Sequence, residues 1–127
     1  MSDYVLDTSA LLAAMFQETG ADRVDALLSR AALSSVNLSE TLAKLADRGV
    51  DMSIAATAVE RLNIDIIPFD AIQARVCAEL RLPTRAAGLS LGDRACIALG
   101  MMLGATIVTA DRPWASLDLG VPMIFIR

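Results

Sequence analysis

Four carboxylates, Asp7, Glu40, Asp93 and Asp111, stand where a metal-dependent site can use them, in a chain with no histidine to share the work. Asp7 and Asp111 each close a short apolar run, Tyr4 to Leu6 and Thr106 to Ala110, while Glu40 and Asp93 fall inside the first turns of expected helices. Carboxylates brought together repel one another unless a cation or protons intervene, and an all-oxygen set suits a hard divalent ion such as Mg²⁺. An ion held that way can orient water, lower its pKa and stabilise charge on a phosphate under attack. Thr8, Ser9 and Thr109 lie beside the acids and can hydrogen-bond them from behind. No nucleophile elbow, Walker loop or dinucleotide-binding glycine pattern is present to support other hydrolase or cofactor chemistry.

Positioning these residues falls to an alternation of short apolar strands and amphipathic helices. Strands are expected at Tyr4–Leu6, Leu33–Val36, Asp65–Phe69, Thr106–Thr109 and Val121–Ile126. Between them the spacing predicts helices over Ala10–Phe16 (capped by Thr8 or Ser9), Ala21–Arg30, Asn37–Arg48, Met52–Leu62, Asp70–Leu82 and Ser90–Leu103. Pro83 marks the end of the fifth helix, and Asp111–Trp114 turns into a short helical piece. Asn37 with Glu40, and Ser90 with Asp93, have the spacing of capping boxes, which gives each of those two acids a competing structural use. Strands alternating with helices predict a three-layer α/β/α domain around a mostly parallel five-stranded sheet. In such a sheet ligands collect beyond the strand carboxyl ends at a switch in strand order. Helices that follow strands present their amino termini there, so four acids from distant segments can converge.

At 127 residues the chain predicts one domain, residues 1–127, with 55% apolar residues and surface to spare for a partner chain. No apolar run suggests a membrane span and Met1 to Asp7 is not signal-like, so a cytoplasmic location is expected. Cys77 and Cys96 have no metal-ligand spacing and read as reduced core thiols. The charge count is 11 basic against 15 acidic residues, and removing the four candidate acids leaves 11 against 11, so the whole excess can reside in the site. Bound divalent ions would cancel it, which removes the objection to a nucleic-acid substrate. Ten of the 11 basic residues are arginines, suited to phosphate and equally to surface ion pairs.

Leu6-Asp7-Thr8-Ser9-Ala10, Val36-Asn37-Leu38-Ser39-Glu40, Leu91-Gly92-Asp93-Arg94 and Val108-Thr109-Ala110-Asp111-Arg112 with Trp114 resemble, in order, the motifs of PIN-domain ribonucleases, in particular VapC-type toxins of bacterial toxin–antitoxin pairs. The resemblance spans nearly the whole chain. It implies a Mg²⁺- or Mn²⁺-dependent endoribonuclease with Asp7, Glu40, Asp93 and Asp111 as catalytic and metal-binding acids. It also implies an RNA substrate, homodimerisation and a small cognate antitoxin that covers the site. Pro113 stands where many relatives carry another polar or acidic residue, so no fifth acidic ligand is expected, and Asp118 is not an obvious substitute. Arg94 and Arg112 adjoin site acids and have phosphate contact or surface pairing open to them; Trp114 has base stacking or packing. Two other readings remain at this point. One is a receiver-like metal-binding signalling module, though the paired acids after its first strand and the lysine after its last are missing. The other is a PIN-like binding module without catalysis.

Overall fold

A computed structural model describes residues 2–127. The elements run β1 (Tyr4–Leu6), α1 (Thr8–Met15), α2 (Ala21–Asp25), β2 (Ala31–Ser34), α3 (Ser35–Asp47), α4 (Met52–Glu60), β3 (Asp65–Ile67), α5 (Ala71–Glu79), α6 (Arg81–Thr84), α7 (Leu91–Leu103), β4 (Thr106–Thr109) and β5 (Met123–Phe125). Single 3₁₀ turns occupy Leu28–Arg30 and Arg112–Ser116. The five strands form one sheet in the order β3-β2-β1-β4-β5, and all four pairings are parallel. The chain therefore builds outward from β1 in one direction through β2 and β3, and in the other through β4 and β5. That reversal puts the switch point between β1 and β4. A receiver-like sheet runs 2-1-3-4-5, so the topology excludes the signalling-module reading.

Alternation along the short strands sends side chains into two cores. Val5, Ala32 and Ile107 meet Ala95 to Leu99 of α7 on one face, while Leu6, Leu33 and Val108 meet Ala10, Leu11 and Ala14 of α1 on the other. With α5 packed on α7 and α2 on α1, the sheet is covered on both faces, and its centre is buried as a parallel sheet requires. α3 packs against both α1 and α7, so it bridges the two layers across the strand carboxyl ends. Cys77 and Cys96 are buried free thiols, as expected.

Several boundaries differ from the sequence expectation, each for a local reason. Helix α1 starts at Thr8, with Asp7 in the N-cap position, because the Thr8 and Ser9 hydroxyls are engaged by site carboxylates and do not cap. The predicted Ala21–Arg30 helix stops at Asp25 and tightens into a 3₁₀ turn. β2 begins at Ala31, two residues early, and Ser34 caps α3 by accepting from the Val36 N–H at 3.2 Å. Pro83 does not end the helical stretch: α5 stops at Glu79 and the chain starts a new turn, α6, with Pro83 near its beginning, where no N–H is needed. Among the described residues, no helix is long and apolar enough to cross a membrane.

Candidate active site

Asp7 follows β1 directly, and its backbone N–H continues the ladder by donating to the Val108 carbonyl of β4 at 2.9 Å. Its side chain is 3% exposed. Two hydroxyls converge on one of its oxygens: Ser9 Oγ donates to Oδ2 at 2.7 Å and Thr109 Oγ1 donates to the same atom at 3.0 Å. Those hydroxyls in turn accept from the backbone beyond β4, Ser9 Oγ from the Ala110 N–H and Thr109 Oγ1 from the Asp111 N–H, each at 3.0 Å. One network thus fixes Asp7 and the loop that carries Asp111. Burial pushes the Asp7 carboxyl up to about 6; the two hydroxyls oppose that rise, and the charge of Asp93 adds to it.

Glu40 arrives from α3. Because Ser34 caps that helix, Asn37 lies inside the first turn and the anticipated Asn37–Glu40 capping box does not form. Glu40 Oε1 accepts instead from Thr8 Oγ1 at 2.8 Å and from Asn37 Nδ2 at 3.1 Å. Asn37, with 0% exposure, also donates from Nδ2 to Thr8 Oγ1 and to the Gly92 carbonyl, at 3.2 and 3.1 Å. This one amide ties together α1, α3 and the start of α7. Gly92 completes the arrangement: a Cβ at this position would overlap the Glu40 carboxylate, so only glycine lets α7 approach it this closely.

Asp93 opens α7, and here the capping box is real. Ser90 N–H donates to Asp93 Oδ2 at 2.9 Å, and Asp93 N–H donates to Ser90 Oγ at 3.2 Å. Asp111 lies two residues beyond β4, half-buried; burial and the charge of Asp93 raise its carboxyl, with the Trp114 indole acting in the opposite direction. Beneath the group, the Cys96 thiol is pushed well up, first by burial and then by the charges of Asp7, Asp93 and Glu40.

All four acids line one cleft of about 680 Å³, together with Thr8, Ser9 and Ser90. Among the described residues, no group of three or more His, Cys, Asp or Glu side chains is arranged as it stands to hold a metal ion. The donor set nevertheless fits one in its chemistry. Protein donors concentrate on a single oxygen of Asp7, Glu40 and Asp93. Among the described residues, no side-chain hydrogen bond reaches the other oxygen of Glu40 or Asp93, which leaves it available to a ligand. Asp7, buried and opposed by Asp93, is an anion in want of a positive neighbour.

The accessory residues fall differently. Arg94 turns away from the cleft and donates from Nη1 to the Cys77 carbonyl of α5 at 3.2 Å. Arg112 donates to the Arg127 carbonyl. Among the described residues neither arginine makes an ion pair. Trp114 is 2% exposed and packs in the core on the α7 side, which removes it as a stacking platform. Sequence reasoning overlooked Gly92 as the contact for Glu40 and read Asn37 only as a cap. It also overlooked Phe16, Lys44 and Arg48, which line the same cleft. The last two were accessible through helical spacing, since Glu40, Lys44 and Arg48 recur every four residues along α3.

The PIN domain family model matches residues 4–119. No curated protein matches the chain. Among solved structures, the chain is similar to DNA-bound VapBC from Salmonella typhimurium, at 18% identity over 100% of both chains with a TM-score of 0.77. It is also similar to FitAcB from Neisseria gonorrhoeae, at 21% identity over 97% of each chain with a TM-score of 0.68. A member of the VapBC family of toxin–antitoxin systems from Mycobacterium tuberculosis, VapBC-5, matches at 25% identity over 98% of each chain with a TM-score of 0.61.

Proposed function

The chain belongs to the PIN-domain family, and from that premise we propose that it is a VapC-type toxin: a Mg²⁺- or Mn²⁺-dependent endoribonuclease of the cytoplasm, held in check by a cognate antitoxin and active as a homodimer. The observation that carries this reading is the convergence of Asp7, Glu40, Asp93 and Asp111, from four separate elements, on one cleft at the switch point of the sheet. The antitoxin is supported by the toxin–antitoxin relatives among the similar folds.

In this reading Asp7, Glu40, Asp93 and Asp111 hold the divalent ion, which when bound supplies a water of lowered pKa and positive charge to offset that developing on the phosphate and leaving oxygen. The chain's own residues orient and space the ligands. Ser9 and Thr109 fix Asp7, and through the Ala110 and Asp111 N–H groups they hold the loop of the fourth acid in step with it. Thr8 and Asn37 do the same for Glu40, and Ser90 for Asp93. Ligands held from behind in this way lose little freedom when an ion and a phosphate arrive.

The test is cleavage of RNA by the purified chain, freed of any partner, with Mg²⁺ or Mn²⁺. Cutting that is abolished by chelation and by Asp7→Asn or Asp93→Asn is the expected result. Intact RNA under all these conditions would leave a PIN-like binding module without catalysis as the correct description, and cutting that survives both substitutions would take Asp7 and Asp93 out of the reaction.

A further inference from the structure

The cleft has a second, basic flank. Along α3 and its C-cap, Glu40, Lys44 and Arg48 occupy positions i, i+4 and i+8, and along α1 and its C-cap so do Thr8, Leu12 and Phe16; all six line the cleft. The two helices pack side by side, so acids and hydroxyls lie at one end of the stripe and cations with an aromatic ring at the other. From Glu40 to Arg48 the stripe rises roughly 12 Å, the reach of a dinucleotide. The Arg48 guanidinium carbon stands 4.0 Å from the Phe16 ring centroid, giving a cationic and aromatic surface at the cleft wall.

Counting the other charges, this flank is net positive, with Lys44, Arg48 and Arg127 against Glu18 and Asp47. Arg127 is claimed by Glu18 at 3.6 Å and by the Thr19 carbonyl, which also neutralises Glu18. Asp47 lines the cleft as well. Among the described residues, Lys44 and Arg48 form no salt bridge with it or with any other acid. The dipole of α3 accounts for a cation in its last turn, but not for the stacking of Arg48 on an aromatic residue from a different helix.

We propose that this flank is the subsite that grips single-stranded RNA beside the scissile phosphate. Lys44 contacts the neighbouring phosphate, and the Arg48–Phe16 pair is the platform on which a flanking base stacks. The inference rests on the nuclease reading for its substrate. It names residues that position RNA and touch no reacting atom.

Binding of a short fluorescent single-stranded RNA to the full chain carrying Asp93→Asn, followed by anisotropy across a salt series, tests it without requiring cleavage. Lys44→Ala should lower the slope of log K against log salt by about 0.7. Arg48→Ala should weaken binding about tenfold. Arg48→Lys should keep the salt slope but lose the preference for an oligonucleotide with an intact base over one abasic at the flanking position. In the cleaving protein, Lys44→Ala and Arg48→Ala should act mainly through KM. Unchanged slope, affinity and base preference in all three variants would overturn the subsite even if the wild type cuts RNA. If the wild type cuts nothing, the nuclease reading fails while the binding series still decides the subsite.

Discussion

Across one cleft, Asp7 and Asp93 carry the same side chain into opposite relations with the fold. Asp7 comes off a central strand into the buried layer, where its charge is poorly solvated and is held by two neutral hydroxyls. Asp93 opens a helix, half-exposed, and closes a capping box with Ser90 that would stabilise α7 in any protein. For the strand-borne acid, ionisation works against folding; for the helix-borne one, the carboxylate doubles as structure. A site acid whose charge opposes the fold points to a ligand, whereas one that caps a helix can be explained without any ligand.

The largest effect on stability should therefore come from Asp7→Asn. An amide keeps an acceptor for Ser9 and Thr109 and removes the buried charge. With the folded carboxyl at about 6 and the unfolded one at 3.8, the native state binds more protons between those values, so wild-type stability falls as pH rises through that window and then levels off. About 2 pKa units correspond to about 3 kcal/mol. Asp7→Asn should accordingly be more stable than wild type by about that much at pH 7, equal to it near pH 3, and inactive. Chemical denaturation of both proteins at several pH values measures the difference. A variant less stable than wild type at pH 7 would erase the contrast between the two acids.

Slightly smaller is the expected effect of the ion itself. A divalent cation at about 100 times its Kd should stabilise the folded chain by about 2.7 kcal/mol, and should flatten the pH dependence that Asp7 imposes. The melting temperature with and without Mg²⁺ at pH 7 reads this directly. The shift should be lost in Asp7→Asn; a shift equal in both proteins would mean that the ion binds elsewhere.

The two acids also differ in how legible they were. β1 and β4 matched the sequence reading residue for residue, so Asp7 and Asp111 were correctly placed at strand carboxyl ends. Glu40 was not. Ser34, Ser35 and Asn37 are all competent caps, and Ala31-Ala32 gives a weak strand signal, so the β2–α3 boundary was read about two residues late. That shift turned a site amide into a helix cap. Of the two capping boxes that the spacing offered, Glu40 has none and Asp93 carries the real one with Ser90. Trp114 could not be placed because a single tryptophan has no periodicity, and only tertiary packing buries it. The parallel sheet was legible in the alternation of strands and helices, but the strand order and the place of its switch point are long-range facts that no local pattern encodes.

Ser90→Ala should have a smaller effect, costing about 1 kcal/mol through loss of the cap. On the helix side of the cleft, structure and site share the same hydrogen bonds, so activity should fall along with stability. If urea denaturation shows the cost while kcat/KM is untouched, Asp93 does not depend on its cap for its position.

Gly92→Ala should affect stability least of all. Alanine is the better helix former by up to about 1 kcal/mol, less in a first turn, and its methyl would meet first the movable end of Glu40. That gain offsets much of what is lost when Glu40 leaves its hydrogen bonds, so stability should stay within about 0.5 kcal/mol of wild type. Glu40, however, has to swing out of the bonds it accepts from Thr8 and Asn37, and misplacing a ligand in this way costs roughly 10- to 100-fold in activity or metal affinity. Wild-type stability with kcat/KM reduced by that factor would show that the approach of α7 to Glu40 serves the site alone. Full activity would mean that Glu40 keeps its function from a second position, and a large loss of stability would assign the glycine to the fold.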